Sequence, residues 1–509
     1  MSKSLRGRLL AAVFSVGLAG AFAAPACAET LADAVALAYE TNPSLQAQRA
    51  TQRALDESYI QARTGWRPTL TLQAVGTYTD LRTPAVVATF LEPTIEKINQ
   101  GSLALSFNQA VWTGGRVAAA VSAAEGDVLQ GRENLRRLEG QVLGAAIQGF
   151  EDVRRDQQSL EIRTEDVGVL QKQLDEARAR FDVGEVTRTD VAQAEAQLAA
   201  VQAALESARA QLAISRSNYA VIVGQNPGDL APEPSLAYLL PGNVDDAFEV
   251  AEKYNPVLRG QQFAEQASRA RVAQARADRM PRLDLQGSAG FVNGVIVPLQ
   301  SNHFPRQLTA SAVVTVPLFT GGLTTSRIRE AIERNNADKI TIETQRRAVL
   351  QQVTQAWNQL IASRANITSD TEQVRAAEIA AEGTKQELDV GLRTTIDVLN
   401  ADIVLRNAQL GLISARHDEY VSAANVLVAM GRLEAKDLIP TAPRYDASHN
   451  LRRLRFGLGW VPWEEPIAVV DRAVAYPAVP ETKDSPQEKP IGPGLQPPPS
   501  PQVLAPPRR

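Results

Sequence analysis

Asp182-Val183-Gly184-Glu185-Val186-Thr187-Arg188-Thr189-Asp190-Val191 and Asp389-Val390-Gly391-Leu392-Arg393-Thr394-Thr395-Ile396-Asp397-Val398 lie 207 residues apart in a chain of 509. Aligned without gaps from these points, 182–224 and 389–431 share 17 identities in 43 positions, where chance gives only a few. The chain is therefore duplicated, and this stretch is where each copy turns back on itself. Gly184 and Gly391 mark the two hairpin-tip turns, because glycine reaches left-handed dihedrals at low cost. Thr187 or Thr189 is placed to cap the helix that returns from the first tip.

On both sides of each tip the apolar residues fall into heptads. Leu160, Val167, Leu170, Leu174, Ala177 and Phe181 lead into the first tip. Val191, Ala194, Leu198, Val201, Leu205, Ala208 and Leu212 lead away from it. Ile367, Val374, Ala377, Ala381 and Leu388, then Val398, Ala401, Leu405, Ala408 and Leu412, repeat the pattern. Spacings of three and four keep one apolar seam on a partner helix, as in a coiled coil. No proline falls between Gly115 and Asn226 or between Leu318 and Ile439, although the chain has 29. The first block predicts a continuous helix over 116–181, a rod of about 100 Å. Five glycines in its first half, at 126, 131, 140, 144 and 149, are expected to curve or loosen it.

The repeat extends towards the N-terminus. Asn42-Pro43 recurs as Asn255-Pro256, Arg67-Pro68 as Met280-Pro281, and Thr113-Gly114-Gly115 as Thr320-Gly321-Gly322. Between the last two pairs lie strands with strict alternation, expected at about 66–79, 101–113, 281–292 and 307–319. Leu70, Leu72, Ala74, Gly76 and Tyr78 share one face, and Thr69, Thr71, Gln73, Thr77 and Thr79 the other. Each run suits a tilted strand crossing a bilayer, and equally a half-buried soluble hairpin. The offset falls from 213 to 207 between the strands of each half, which predicts a first loop six residues longer. Residues 80–101 and 292–307 are expected as exposed loops, with Pro84, Pro93, Pro298 and Pro305 stopping the strands.

The expected organisation is a signal peptide over 1–28, a first repeat over 29–224, a connector over 225–244 and a second repeat over 245–431. A C-terminal region over 432–475 is expected to join the connector in a belt around the middle of the molecule. A Pro-rich tail over 476–509, expected to be disordered, completes the chain. Lys3, Arg6 and Arg8 precede an apolar run ending in Ala26-Cys27-Ala28, a secretory pattern with Glu29 as the new N-terminus. No later run of about 18 apolar residues supplies a transmembrane helix. The net charge of −4 speaks against a nucleic-acid binder. One Cys and three separated His (303, 417 and 449) give no disulfide framework and no metal-ligand spacing, so no metal, cofactor or catalytic set is expected and the chain reads as a non-enzyme. Strands in lipid must close, because open edges leave unpaired backbone groups. Four strands cannot close alone. Two copies give eight, filled by their own side chains, and three give twelve, enough for a lumen.

The duplicated tips, the Asn-Pro starts and the Gly-Gly strand exits together make the chain resemble, over about 30–440, the TolC-type outer-membrane efflux and secretion channels. The resemblance implies a mainly α fold with a membrane β-barrel. Long helical hairpins would form a trimeric α-barrel, and four strands per chain a shared twelve-stranded barrel. It implies a passive exit duct in the Gram-negative outer membrane, reaching into the periplasm. It further implies a homotrimer, contact with outer-membrane lipid, a periplasmic adaptor protein, and an inner-membrane transporter of the ABC, RND or MFS type. Residue by residue, Arg393 matches the family's gate arginine, and Thr189 and Asp190 its partners on a neighbouring helix pair. Asp397 and Asn400 match two positions that usually carry a double acidic ring, here half amide. Leu388 stands where a gate tyrosine is common. The bland reading of Arg393 and Asp397 is a surface pair four residues apart on one helix. The competing function is a periplasmic coiled-coil structural or adaptor protein without a barrel.

Overall fold

The computed structural model describes residues 28–83, 94–292, 305–439, 445–455, 457 and 459–473. Residues 1–27 of the expected signal peptide, the Pro-rich tail, His303, and Pro84, Pro93 and Pro298 lie outside them. The first half runs α1 (Leu31–Thr41), α2 (Pro43–Arg63), β1 (Thr69–Thr83), β2 (Thr94–Trp112), α3 (Arg116–Asp182) and α4 (Arg188–Val223). The second runs α5 (Val244–Tyr254), α6 (Pro256–Ala277), β3 (Arg282–Val292), β4 (Arg306–Thr315), α7 (Leu323–Asp389) and α8 (Thr395–Met430). Short helices α9 (Ala435–Leu438), α10 (His449–Leu454) and α11 (Glu464–Ala473) follow.

The two longest helices each have 67 residues and so run about 100 Å. Each is matched end to end by two shorter helices. α2 and α6 line the half nearest the strands, and α4 and α8 line the half nearest the tips. The Asn-Pro repeats make these joints. Asn42 Oδ1 accepts from the amides of Ser44 (3.0 Å) and Leu45 (3.4 Å) to cap α2, while its Nδ2 donates to Ile222 O at the end of α4 (3.1 Å). Asn255 does the same for α6 and donates to Ala429 O at the end of α8 (2.7 Å). The amide thus satisfies orphan groups at two helix ends at once. Gly224 and Gly431 end α4 and α8 with φ of 94° and 70°, where a Cβ would be strained.

The largest core sits at these joints. Tyr39 and Leu45, Ile147 and Phe150, Tyr219, Phe248, Val353 and Trp357, and Leu427 and Met430 bring seven helices and both halves into one apolar cluster. Leu236, Leu433 and Ile439 from the connecting segments join it. Nearer the tips a second cluster of Leu170, Leu174, Ala194, Leu198 and Val201 follows the expected seam, and Leu399 of α8 closes it.

Two of the glycines of α3 are notches where helices touch: a Cβ on Gly126 would come within 2.9 Å of the Ala267 Cβ and 3.0 Å of its backbone, and one on Gly131 within 2.4 Å of the Leu55 side chain. α3 can therefore pack between α2 and α6 at short range.

The four strands form one antiparallel sheet in the order β1-β2-β3-β4, leaving β1 and β4 as its edges. β1 and β2 span 15 and 19 residues against 11 and 10 for β3 and β4. The extra length of the first half therefore lengthens its strands, and the expected loop start at 80 and end at 101 are too generous. Pairing continues to Thr83↔Thr94, directly inside Pro84 and Pro93, because proline cannot donate to the ladder.

The C-terminal segment also departs from expectation. Residues 432–439 and 445–447 keep the level of the large core, but α10 climbs along α2, where Asn450 Nδ2 donates to Asp56 Oδ2 (2.9 Å). α11 reaches the junction between helices and strands. Glu464, wholly buried, accepts from Arg63 Nε (2.7 Å) and Arg67 Nε (2.9 Å). Asp471, also wholly buried, accepts from the amides of Thr113 (2.8 Å), Gly115 (3.1 Å) and Ala118 (3.2 Å) and from Trp66 Nε1 (3.2 Å). It caps α3 from 350 residues away, where the helix's own N-cap, Gly115, has no side chain to do so. These buried acids, bound to one end of α2 and one end of α3, draw the segment out of the belt.

Candidate functional site: lipid-facing strands and hairpin tips

Register fixes which side chains share a face. Leu70 pairs with Phe107, Leu72 with Leu105 and Ala74 with Leu103, so the apolar sets of β1 and β2 coincide. Leu103 pairs with Phe291 and Leu105 with Ala289, and Ala289 pairs with Leu308. One face of the whole sheet is thus apolar, and it is exposed: Leu72 is 66 % and Leu308 71 % accessible. The opposite face carries Thr71, Gln73, Ser106, Asn108, Gln286, Ser288, Thr309 and Ser311. An exposed apolar face backed by a polar one is the pattern of a membrane barrel with a wet interior. From Leu70 to Tyr78 the apolar run is about 26 Å long at about 3.3 Å per residue, and a strand tilted by about 40° carries it through about 20 Å of the ~25 Å band of outer-membrane barrels. Beyond it the same face turns charged at Asp80 and Arg82, whose side chains pair at 3.5 Å.

At the far end, the two tips have the same backbone. Gly184 and Gly391 have φ of 82° and 77°. Thr187 and Thr394, rather than Thr189, occupy the N-cap positions of α4 and α8. Asp190 Oδ2 accepts from Thr187 N (2.8 Å) and Oγ1 (2.7 Å), and Asp397 Oδ2 from Thr394 N (3.0 Å) and Oγ1 (2.7 Å). Both aspartates are therefore the third residues of capping boxes. Hydrogen bonds from the Thr394 backbone and side chain hold the Asp397 carboxyl below its usual range, with Arg393 adding to the effect.

Arg393 is exposed, and its ion pair is with Glu387 (Nε to Oε2, 2.8 Å), on the incoming helix of the same hairpin. That hydrogen bond, followed by the charges of Glu387 and Asp397, raises its pKa. Asp397 is thus a neighbouring charge and not its bonded partner. Thr189 and Asn400 are exposed and Leu388 half-buried. Within the protomer the structure does not bring Arg393 to Thr189 or Asp190. The hairpins meet instead through Arg180 and Asp389 (3.8 Å), through Gln173 and Asp402, and through Arg406 with Glu165 (3.6 Å) and Asp166 (3.9 Å). Val183, Val390 and Leu392 are exposed by 71 %, 70 % and 76 %, which leaves an apolar point on each tip.

Higher up, His417 of α8 joins the second hairpin to α3. Its Nδ1 lies 2.9 Å from Asp418 Oδ1 and its Nε2 3.0 Å from Asp152 Oδ1, the latter an ion pair without hydrogen-bond alignment. Burial pulls the imidazole pKa down, but the two carboxylates outweigh it and leave it raised.

Sequence reasoning missed the two capping boxes and the Glu464–Asp471 clamp. The boxes were legible as Thr-x-x-Asp at the start of each returning heptad run. The clamp had no comparable signal, since its partners lie about 350–400 positions away.

Residues 34–225 and 248–432 match the model of the outer membrane efflux protein family. The outer membrane efflux protein BepC of Brucella suis is 32 % identical over 436 residues, covering 85 % of this chain and 92 % of that one. The alkaline protease secretion protein AprF of Pseudomonas aeruginosa is 26 % identical over 331 residues, covering 64 % and 68 %. Among solved structures, the CmeC outer membrane channel of Campylobacter jejuni superposes with a TM-score of 0.70 at 15 % identity, covering 83 % of this chain and 88 % of that one. With its duplicated hairpins, its lipid-facing sheet and a match that takes in both repeats, this chain belongs to the outer membrane efflux protein family and is an outer-membrane channel protein.

Proposed function

We propose that three copies of this chain close into one exit duct, with twelve strands in the outer membrane and twelve helices beneath, through which cargo passes passively. The observation that carries this reading is the open sheet. β1 and β4 are both edges of an otherwise lipid-suited sheet, and edges are not tolerated in hydrocarbon. β4 of one copy then pairs with β1 of the next, and three copies are the smallest closed set with a lumen.

Cargo is handed over by an inner-membrane transporter of the ABC, RND or MFS type through a periplasmic adaptor. The exposed Val183, Val390 and Leu392 at the tips suit an apolar docking contact with that adaptor. The duct serves small-molecule efflux or the secretion of unfolded polypeptides, according to the transporter it meets. The tip acts as its gate. Arg393 holds the closed state by reaching Thr189 and Asp190 of a neighbouring hairpin, with Asp397, Asn400 and Leu388 lining the constriction. The pairing with Glu387 in the single chain supports a residue that exchanges partners on closure. Insertion of the purified oligomer into planar bilayers tests the reading. Discrete, long-lived conductance steps are expected, and a protein that leaves the bilayer silent would favour the barrel-less adaptor.

A further inference from the structure

α11 is an inside-out amphipathic helix. Glu464, Ala468 and Asp471 face inward and are wholly buried, while Val469 and Val470 are 61 % and 48 % exposed. An isolated surface helix places its acids in water and its valines inside. Here the acids are bound by Arg63, Arg67 and the start of α3, so the apolar side must look outward. Trp460 and Trp463, in the turn before the helix, are 40 % and 47 % exposed.

What covers this surface follows from where it sits. Trp463 Nε1 donates to Gln109 Oε1 (3.3 Å). Gln109 lies on the same strand face as Leu103, Leu105 and Phe107, by the alternation that gives the sheet its lipid-facing side. Trp463 is therefore on the outside of the sheet, directly below the last lipid-facing residues at the helical end. The exposed apolar surface of α11 thus lies on the same outer side of the molecule as the lipid-facing strand residues. Indoles prefer the level where hydrocarbon meets headgroups, because the ring is apolar and the N–H needs a partner. The neighbouring α10 carries Arg452 and Arg453 in its last turn, both exposed; Arg452 is ion-paired with Asp446, and Arg453 suits a lipid phosphate.

We propose that residues 460–473 form an interfacial collar, in which Trp460, Trp463, Val469 and Val470 enter the headgroup boundary of the periplasmic leaflet and bind phospholipid. The family match ends at residue 432, so this surface is additional to what defines the family. The collar also anchors the level of the helix–strand junction, since the same helix caps α3 with Asp471.

The test is a spin label on Val469→Cys in the full-length protein, with Cys27→Ser to remove the other thiol. The protein is reconstituted in vesicles of phosphatidylethanolamine and phosphatidylglycerol. Collisional access to oxygen and to a water-soluble nickel chelate is compared with labels at Leu72→Cys on the strand face and Val183→Cys at the tip. An oxygen-to-nickel ratio between those two references, and several-fold above that at 183, is expected. A ratio equal to that at 183 would place the helix in water and overturn the collar. A label immobilised and shielded from both reagents would show that a second copy or the Pro-rich tail covers the face, and would overturn it equally.

Discussion

α3 and α7 descend from one ancestral helix and have the same 67 residues, yet α3 buries 24 of them and α7 only 10. The difference is one of neighbours. α3 has α2 on one side and α6 on the other, with α4 and α8 further down. α7 has α6, α8 and the short α5, which it meets through Arg346 and Glu252, and among the described residues no helix covers its other flank. Their sequences record this. Where α3 has Gly126 against the backbone of Ala267, α7 has the exposed Glu333. The start of α3 is capped by Asp471 from the C-terminal segment, whereas among the described residues no such acid reaches the start of α7, whose own N-cap, Gly322, has no side chain to cap it. Duplication gave two equal arms, and divergence packed one inside the chain while leaving the other more exposed.

The comparison can be broken at the first arm's clamp, with the largest effect. Glu464→Ala leaves Arg63 and Arg67 buried without it, and removing one partner of a buried pair costs about 3–5 kcal/mol. Asp471→Ala removes the acceptor of the Thr113, Gly115 and Ala118 amides, and hydrogen exchange should show lost protection there while the start of α7 is unaffected. Next, Gly126→Ala forces α3 and α6 apart and should cost about 1–3 kcal/mol in denaturant unfolding. The equivalent Glu333→Ala should stay within about 0.5 kcal/mol, as an exposed change does.

At the tips the arms differ by Arg393 against Val186. Arg393→Ser should raise single-channel conductance, and Val186→Ser should leave it as it is; equal traces would remove the arginine from the proposed gate. The smallest effect concerns the link between arms. The His417 pKa is raised above its ordinary value of 6.5. Its stabilisation is therefore full below that value and is lost as pH rises through the raised one. The stability gap between the wild type and His417→Gln should shrink from mildly acidic to alkaline pH.

Most of this architecture was legible in the chain. The heptads gave the hairpins, the alternation gave the apolar strand face though not whether lipid or protein covers it, and the Asn-Pro and Gly-Gly repeats gave the joints. The signals that sufficed were local and came twice. Strand ends were harder, because apolar alternation stops at Tyr78 while backbone pairing runs on to Thr83 among charged residues. The path of residues 449–473 was illegible because Glu464 and Asp471 read as ordinary surface acids until their partners are brought to them. At the tips, the resemblance supplied the candidate gate residues, while the geometry adds that Asp190 and Asp397 first serve their own helix starts.

The bare flank of α7 and the open edges of β1 and β4 make one claim, that the working unit is a ring of three. Native mass spectrometry of the detergent-extracted protein measures it directly. The account predicts a dominant species with the mass of three processed chains. A protein that remains a single chain, or stops at two, would contradict it.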